Sequence, residues 1–230
     1  MSRWWPETVI LPLCGEDVAA QLDALELRRG TRLHAVAAGD AVRYAVVPWS
    51  NEFSSPAERQ LLAQQQFVET FGEAARGWAV CRHGHRYGAG TLASAIDRAV
   101  IDRLDGAARA RGLRVVAIEP FLAHAFNQVR RRIDADPFWF VTVEPQWSTL
   151  LLMSSREPLH VKRLPPLRTT LSTLLDREWF ALGIEGDRCP AYVVRNGQPA
   201  APAPLSANWQ IIDLSLTRPD LAPAQLLRAA

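Results

Sequence analysis

The segment Leu104–Leu152 reads LDGAARARGLRVVAIEPFLAHAFNQVRRRIDADPFWFVTVEPQWSTLLL, and its punctuation decides how the chain is built. A helix ends at Arg111-Gly112, where glycine is the expected stop. A short β-rich run, Arg114–Ile118, follows, and Glu119-Pro120 opens a second helix ending near Arg130-Arg131-Arg132. Phe138–Val143 and Ser148–Met153 then read as two strands around the turn Glu144-Pro145-Gln146-Trp147. Strand and helix alternate within fifty residues, which predicts an α/β protein.

Upstream of this segment, Asp97–Arg111 is the clearest helix. Ile96, Val100, Leu104, Ala107 and Ala108 share one face, and charged residues ring the other. Ser55-Pro56 with Glu58 carries the signature of a helix start, and Leu61, Leu62, Phe67, Val68 and Phe71 recur at helical spacing behind it. Thr8–Leu13 reads as a strand and Cys14–Asp17 as a turn. Val18–Leu25 fits a strand or a short helix equally well. Arg32–Ala38 and Ala41–Val47 are β-like runs around Gly39-Asp40, which predicts a hairpin. Trp78–Cys81 and the run from Gly88 flank a turn at Arg82–Arg86. Downstream, Leu159–Leu164 is a strand, Arg168–Leu182 a helix, and Ala191–Val194 and Trp209–Leu214 are strands around the proline-rich loop Gln198–Pro204.

The 230 residues suffice for one domain, or one domain with two lobes at 1–135 and 136–230. Hydrophobic content of 48% and charged content of 22% are ordinary globular values. A net charge of +2 gives no electrostatic footprint for nucleic acid or anionic membranes. Cys14, Cys81 and Cys189 are odd in number and widely spaced, which excludes a disulfide framework and fits a reducing compartment. With no uninterrupted apolar run of spanning length, a soluble cytoplasmic chain is expected.

Sequence motifs for chemistry are few. No G-x-x-x-x-G-K-[ST] and no G-x-S-x-G occurs, and Gly88-Ala89-Gly90 lacks the third glycine of a dinucleotide fingerprint. His83 and His85 alternate as metal ligands on a strand would, but Gly84 between them marks a hairpin tip. His34, His124 and His160 have no ligand-type neighbour at motif spacing, so no metal site, cofactor site or catalytic residue is expected. Arg130–Arg132 suits a helix C-terminus better than a phosphate-contact patch. The eight tryptophans are scattered as core and interface anchors.

The order of elements, a strand-rich start, the alanine-rich helix Ala93–Arg111, the run Gly112–Ala123 and the strand pair Phe140–Val143 and Thr149–Leu152, resembles the actin-like fold of the PilM and GspL families. These are assembly-platform proteins of type IV pili and type II secretion. The resemblance implies ribonuclease-H-like lobes, mixed sheets flanked by helices. It also implies two phosphate-type hairpins facing each other, here Ile10–Val18 and Val143–Thr149. In actin-like ATPases each such hairpin carries an acid and glycines, which let backbone N–H groups reach phosphate. Here Pro12 stands where an aspartate is expected, and Pro145, Gln146 and Trp147 replace small residues around Glu144.

The resemblance therefore implies a non-catalytic scaffold at the inner membrane. It would bind a membrane partner's cytoplasmic segment, communicate with the assembly ATPase, and need neither cofactor nor nucleic acid. Trp49, Phe53 and Trp147, apolar residues outside the helical faces, are the candidate partner-binding residues. Two alternatives remain: a nucleotide-binding actin-like ATPase using Glu144, Asp17 and Asp213, and a small nucleic-acid-binding module.

Overall fold

The computed structural model describes residues 8–13, 18–53, 55–83, 86–165, 169–196 and 208–216. Its centre is a five-stranded mixed sheet built from the expected strand pair. β7 (Phe138–Val143), β8 (Ser148–Ser154) and β9 (Glu157–Leu164) form an antiparallel meander. β10 (Ala191–Arg195) joins the other edge of β7 in parallel, and β11 (Ile211–Asp213) extends beyond it, giving the order β11-β10-β7-β8-β9.

Alternation of side chains along these strands divides the interior in two. Phe138 and Phe140 of β7, Leu151 of β8, and Tyr192 and Val194 of β10 point into one apolar cluster. Trp139, Val141 and Val143, Leu150 and Leu152, and Ala191 and Val193 point into another. The second cluster is covered by α5 (Leu171–Ala181) through Leu171, Leu174, Leu175 and Trp179. Every residue of β7 is buried, which matches a sequence apolar at both parities.

The first cluster is completed by N-terminal elements. β1 (Thr8–Leu13), β2 (Arg32–Ala37) and β6 (Arg114–Pro120) make a three-stranded parallel sheet with β2 in the middle. α1 (Val18–Asp23), α3 (Arg98–Ala110) and α4 (Phe121–Val129) add Leu22, Leu104, Leu122 and Ala125 to the same cluster, which thus draws on both sides of residue 135. Pro12 lies on β1, an edge strand, where its missing N–H costs no ladder bond.

A third sheet, antiparallel, has the order β3-β5-β4, formed by β3 (Arg43–Val47), β5 (Thr91–Asp97) and β4 (Trp78–His83). It is backed by α2 (Pro56–Phe71), whose Ala63 and Phe67 are fully buried. β3 packs beside β9 of the central sheet.

Local signals placed the helix ends well. Ser55 and Glu58 form a reciprocal capping box at α2 with Pro56 at its first turn, and Asp97 caps α3 by accepting from the Ala99 N–H at 2.9 Å. Gly112 stops α3 with φ +68°, a left-handed conformation that favours glycine, and a Cβ there would also displace the Arg29 side chain, whose Nε would lie 2.9 Å away.

Four expectations are corrected. Arg32–Ala38 and Ala41–Val47 do not form a hairpin. Both edges of β2 are taken by β1 and β6, so a 3-10 turn at Gly39–Ala41 sends β3 to a different sheet. The first phosphate-type hairpin, Ile10–Val18, is not a hairpin either. Val18–Asp23 is helical, and β1 pairs with β2 in parallel, which requires a crossover. Ala93–Ile96 belong to β5, not to the helix, which begins at Arg98. Glu119-Pro120 ends β6 and α4 begins at Phe121. The readings of Cys14–Asp17, Gly84-His85, Gln198–Pro204 and Arg168 lie outside the described residues.

Candidate functional site: a filled cleft and an arginine-rimmed groove

The turn between β7 and β8 closes through Glu144 N–H, which donates to Trp147 C=O at 2.8 Å, leaving Pro145 and Gln146 exposed. Its acid does not face open space. Glu144 is 8% exposed, and its Oε2 accepts from the Gly39 N–H at 2.9 Å, in the turn between β2 and β3. Trp147 lies against the same glycine, 3.8 Å from where a Cβ would stand.

Arg163, on β9, completes the contact. Its guanidinium stacks 3.8 Å over the Trp147 ring, while Nη1 donates to Val42 C=O at 3.1 Å and Nη2 to Asp40 Oδ1 at 3.0 Å. The Gly39 N–H and the Glu144 carboxylate are therefore spent on each other. Asp213 pairs with Arg195 at 2.8 Å on β11, and among the described residues it joins no carboxylate cluster with Glu144. Asp17 lies outside the described residues.

Burial holds the Glu144 carboxyl above the usual range, against the lowering effects of the Gly39 hydrogen bond and the Arg163 charge. A raised folded pKa favours the folded state below the unfolded value, and that contribution is lost as pH rises through the folded one. Glu144→Gln keeps an oxygen for the Gly39 N–H and removes the buried charge. Urea unfolding should show this variant at least as stable as the wild type at pH 7, with the gain shrinking toward pH 4. A gain that grows on acidification would refute the buried-charge reading.

Two adjoining pockets, of about 460 and 610 Å³, open between α4, the end of β4 and the β8–β9 turn. They share Phe126, Arg130, Met153 and Arg156. Leu92, Leu122, Leu151 and Phe138 supply further apolar lining, Arg82, Arg130, Arg131 and Arg156 line the groove as cations, and Asp134 and Asp136 line the larger pocket as acids. Among the described residues no ion pair neutralises Arg130, Arg131 or Arg156. Arg82 also lines a small recess beneath Trp49.

The sequence-proposed residues fall into two places. Trp49 and Phe53 follow the end of β3. Trp49 makes an edge contact with Tyr87 at 4.8 Å and lies under Arg59 at 4.3 Å, while Phe53 C=O accepts from Arg59 Nε at 3.1 Å. Trp147 sits near the other end of β3, in the filled cleft. The groove residues of α4 escaped sequence reasoning because their apolar members read simply as a helical face.

Sequence reasoning also missed a side-chain cluster. His34 of β2, Glu119 of β6 and His124 of α4 bring ligand-type atoms within 4.8 Å of one another. His83, by contrast, bonds Ser94 Oγ at 2.6 Å. Adjacent parallel strands β2 and β6 unite residues that no short motif could connect.

The meander β7-β8-β9, the helix α5 and the parallel strands β10 and β11, joined to a parallel N-terminal sheet, define an actin-like α/β fold. The cytoplasmic domain of EpsL, an inner-membrane component of the type II secretion system of Vibrio cholerae, superposes with a TM-score of 0.56 at 12% identity, over 93% of this chain and 79% of that one. A PilM–PilN type IV pilus biogenesis complex gives 0.57 at 13% identity, over 92% and 80%. A Bacteroides thetaiotaomicron protein described as having an actin-like ATPase fold and unknown function gives 0.51 at 10% identity, over 85% and 76%. At the level of sequence, no family model and no curated protein matches the chain. The likeness is one of fold, and it bears out the PilM and GspL resemblance at that level.

Proposed function

We propose that this protein is a non-catalytic scaffold of a type IV pilus or type II secretion assembly platform, held at the cytoplasmic side of the inner membrane by a partner. One observation carries the non-catalytic part: the cleft between the two facing turns is filled by the protein's own Glu144, Trp147 and Arg163. The likeness to EpsL and to PilM in complex with PilN supports the choice of machine. Among the described residues no helix is long and apolar enough to cross a membrane.

The partner is an inner-membrane assembly protein, and its docking segment is acidic and apolar. Four arginines against two aspartates around an apolar floor suit such a segment, whose leucine-type side chains would bury while its carboxylates meet the arginines. Trp49 and Phe53 would extend the contact past Arg82, and Trp147 would serve where the segment turns toward the cleft. Contact with the assembly ATPase is the further role, and nucleic acid is not a partner. The lobes 1–135 and 136–230 would act as one platform through the shared apolar cluster.

Two measurements test the reading. Calorimetry with Mg-ATP should give no saturable binding, and turnover abolished by Glu144→Gln would overturn the scaffold in favour of an ATPase. Affinity capture from detergent-solubilised membranes of the native host should recover pilus or secretion inner-membrane proteins. Phe126→Asp with Arg130→Glu should lose that recovery, because a charge enters the apolar floor and the rim changes sign. Recovery of soluble enzymes or nucleic acid alone would end the proposal.

A further inference from the structure

We infer that His34, Glu119 and His124 form a binding site for one zinc-class divalent cation. Glu119 Oε2 lies 3.2 Å from His34 Nε2 and 2.9 Å from His124 Nδ1. In a tetrahedral zinc site, metal–ligand distances of about 2.0–2.2 Å set neighbouring ligand atoms roughly 3.3–3.5 Å apart. The two Glu119–histidine separations therefore need to open only by tenths of an ångström, and all three ligand atoms already lie within 4.8 Å of one another.

A hydrogen-bonded trio is the competing explanation, and it leaves one atom unexplained. His124 Nδ1 is well placed to donate to Glu119. His34 Nε2 is shut off from solvent and makes no hydrogen bond, although a carboxylate oxygen is 3.2 Å away. Protonated, it aims its N–H poorly; unprotonated, it sets a lone pair against an anion. A cation between them resolves both. Asn127 Nδ2 donates to Glu119 Oε1 at 3.2 Å, which orients the carboxylate as an outer-shell partner would.

Two imidazole nitrogens select a transition cation of the zinc type over magnesium or calcium, which take oxygen ligands. The cation links β2, β6 and α4. Since Asn127 also lines the groove, occupancy stiffens the helix that forms one wall of it. With the metal on His124 Nδ1 the ring proton sits on Nε2, and the Gln128 amide, 2.7 Å away, presents its oxygen to it.

The test uses the full chain, without an affinity tag, stripped by chelation and titrated with Zn2+ in a calorimeter. Co2+ substitution reports coordination through its visible bands. One equivalent should bind, Co2+ should show tetrahedral bands, and the melting temperature should rise with the metal. His34→Gln and Glu119→Gln should each weaken binding by at least about tenfold, and Asn127→Ala by about 10–100-fold. His83→Ala/His85→Ala should bind as the wild type does. Absence of saturable Zn2+ binding by the wild type, or equal binding by the His34 and Glu119 variants, overturns the site. Should either of those fail to fold, Asn127→Ala decides, because it leaves all three ligands in place. Equal affinity in that variant counts against the site.

Discussion

Trp139→Ala is expected to lower the unfolding free energy by about 3–5 kcal/mol, the usual range for emptying a large aromatic from a core. Trp139 is the largest fully buried side chain, on the central strand β7, and it packs into the cluster formed with α5. Neighbours on two other strands and one helix cannot all collapse into the vacated volume. For a chain of this size such a loss shifts the melting temperature down by about 6–20 °C. The contrast with phenylalanine separates packing from polarity. Trp139 Nε1 is buried with no hydrogen-bond partner, and an unsatisfied donor costs about 1–3 kcal/mol. Trp139→Phe removes that donor together with part of the ring, so its loss should be on the order of 1–2 kcal/mol. Denaturant unfolding followed by circular dichroism checks both. Equal losses for the two variants would mean that aromatic volume at this site is not what holds the sheet to α5.

Lys162→Met should cost about 2–3 kcal/mol at pH 7, because it strips a buried carboxylate of its best partner. Glu178 is 1% exposed on the sheet-facing side of α5. Lys162 Nζ lies 2.8 and 3.0 Å from its two oxygens, and Arg177 reaches Oε1 at 3.2 Å. Lys162 is itself 41% exposed in its side chain, so its own hydration offsets part of the gain, and the cost of the substitution falls mostly on Glu178. Without Lys162 the carboxylate keeps only Arg177 and, 4.0 Å away, the His160 ring. Lys162→Met/Glu178→Leu should recover most of the loss, since an apolar pair of similar volume needs no counter-charge. No recovery in the double variant would show that Lys162 acts through its aliphatic stem instead.

Elements whose signals are local were legible in the chain. Ser55, Pro56 and Glu58 begin α2, Asp97 and Gly112 bound α3, and the alternation in β7 and β8 sends Phe140 one way and Trp139 the other. The strand–turn–strand around Glu144 was readable for the same reason. The partners of β2 were not. Arg32–Ala38, Gly39-Asp40 and Ala41–Val47 satisfy every local rule for a hairpin, yet two parallel neighbours occupy both edges of β2. Edge competition is settled between segments far apart in the chain.

The candidate sites follow the same division. Glu144 in a turn with Pro145 and Trp147 could be read as a loop poorly suited to phosphate, because proline lacks an N–H and tryptophan crowds the backbone. That the acid closes onto Gly39, and that Arg163 seals the contact, arises from β9 lying beside β3. Likewise, His34 and His124 look isolated until β2 and β6 pair and α4 folds back over them. The sequence by itself determined the capped ends of α2, the stop of α3 and the two-sided burial of the central sheet, because capping and periodicity act within a few residues. Only the tertiary structure decided which strands share a sheet, which turns meet across the cleft and which titratable groups converge. Those outcomes depend on packing and edge pairing between segments separated by tens of residues, where no local pattern carries the information.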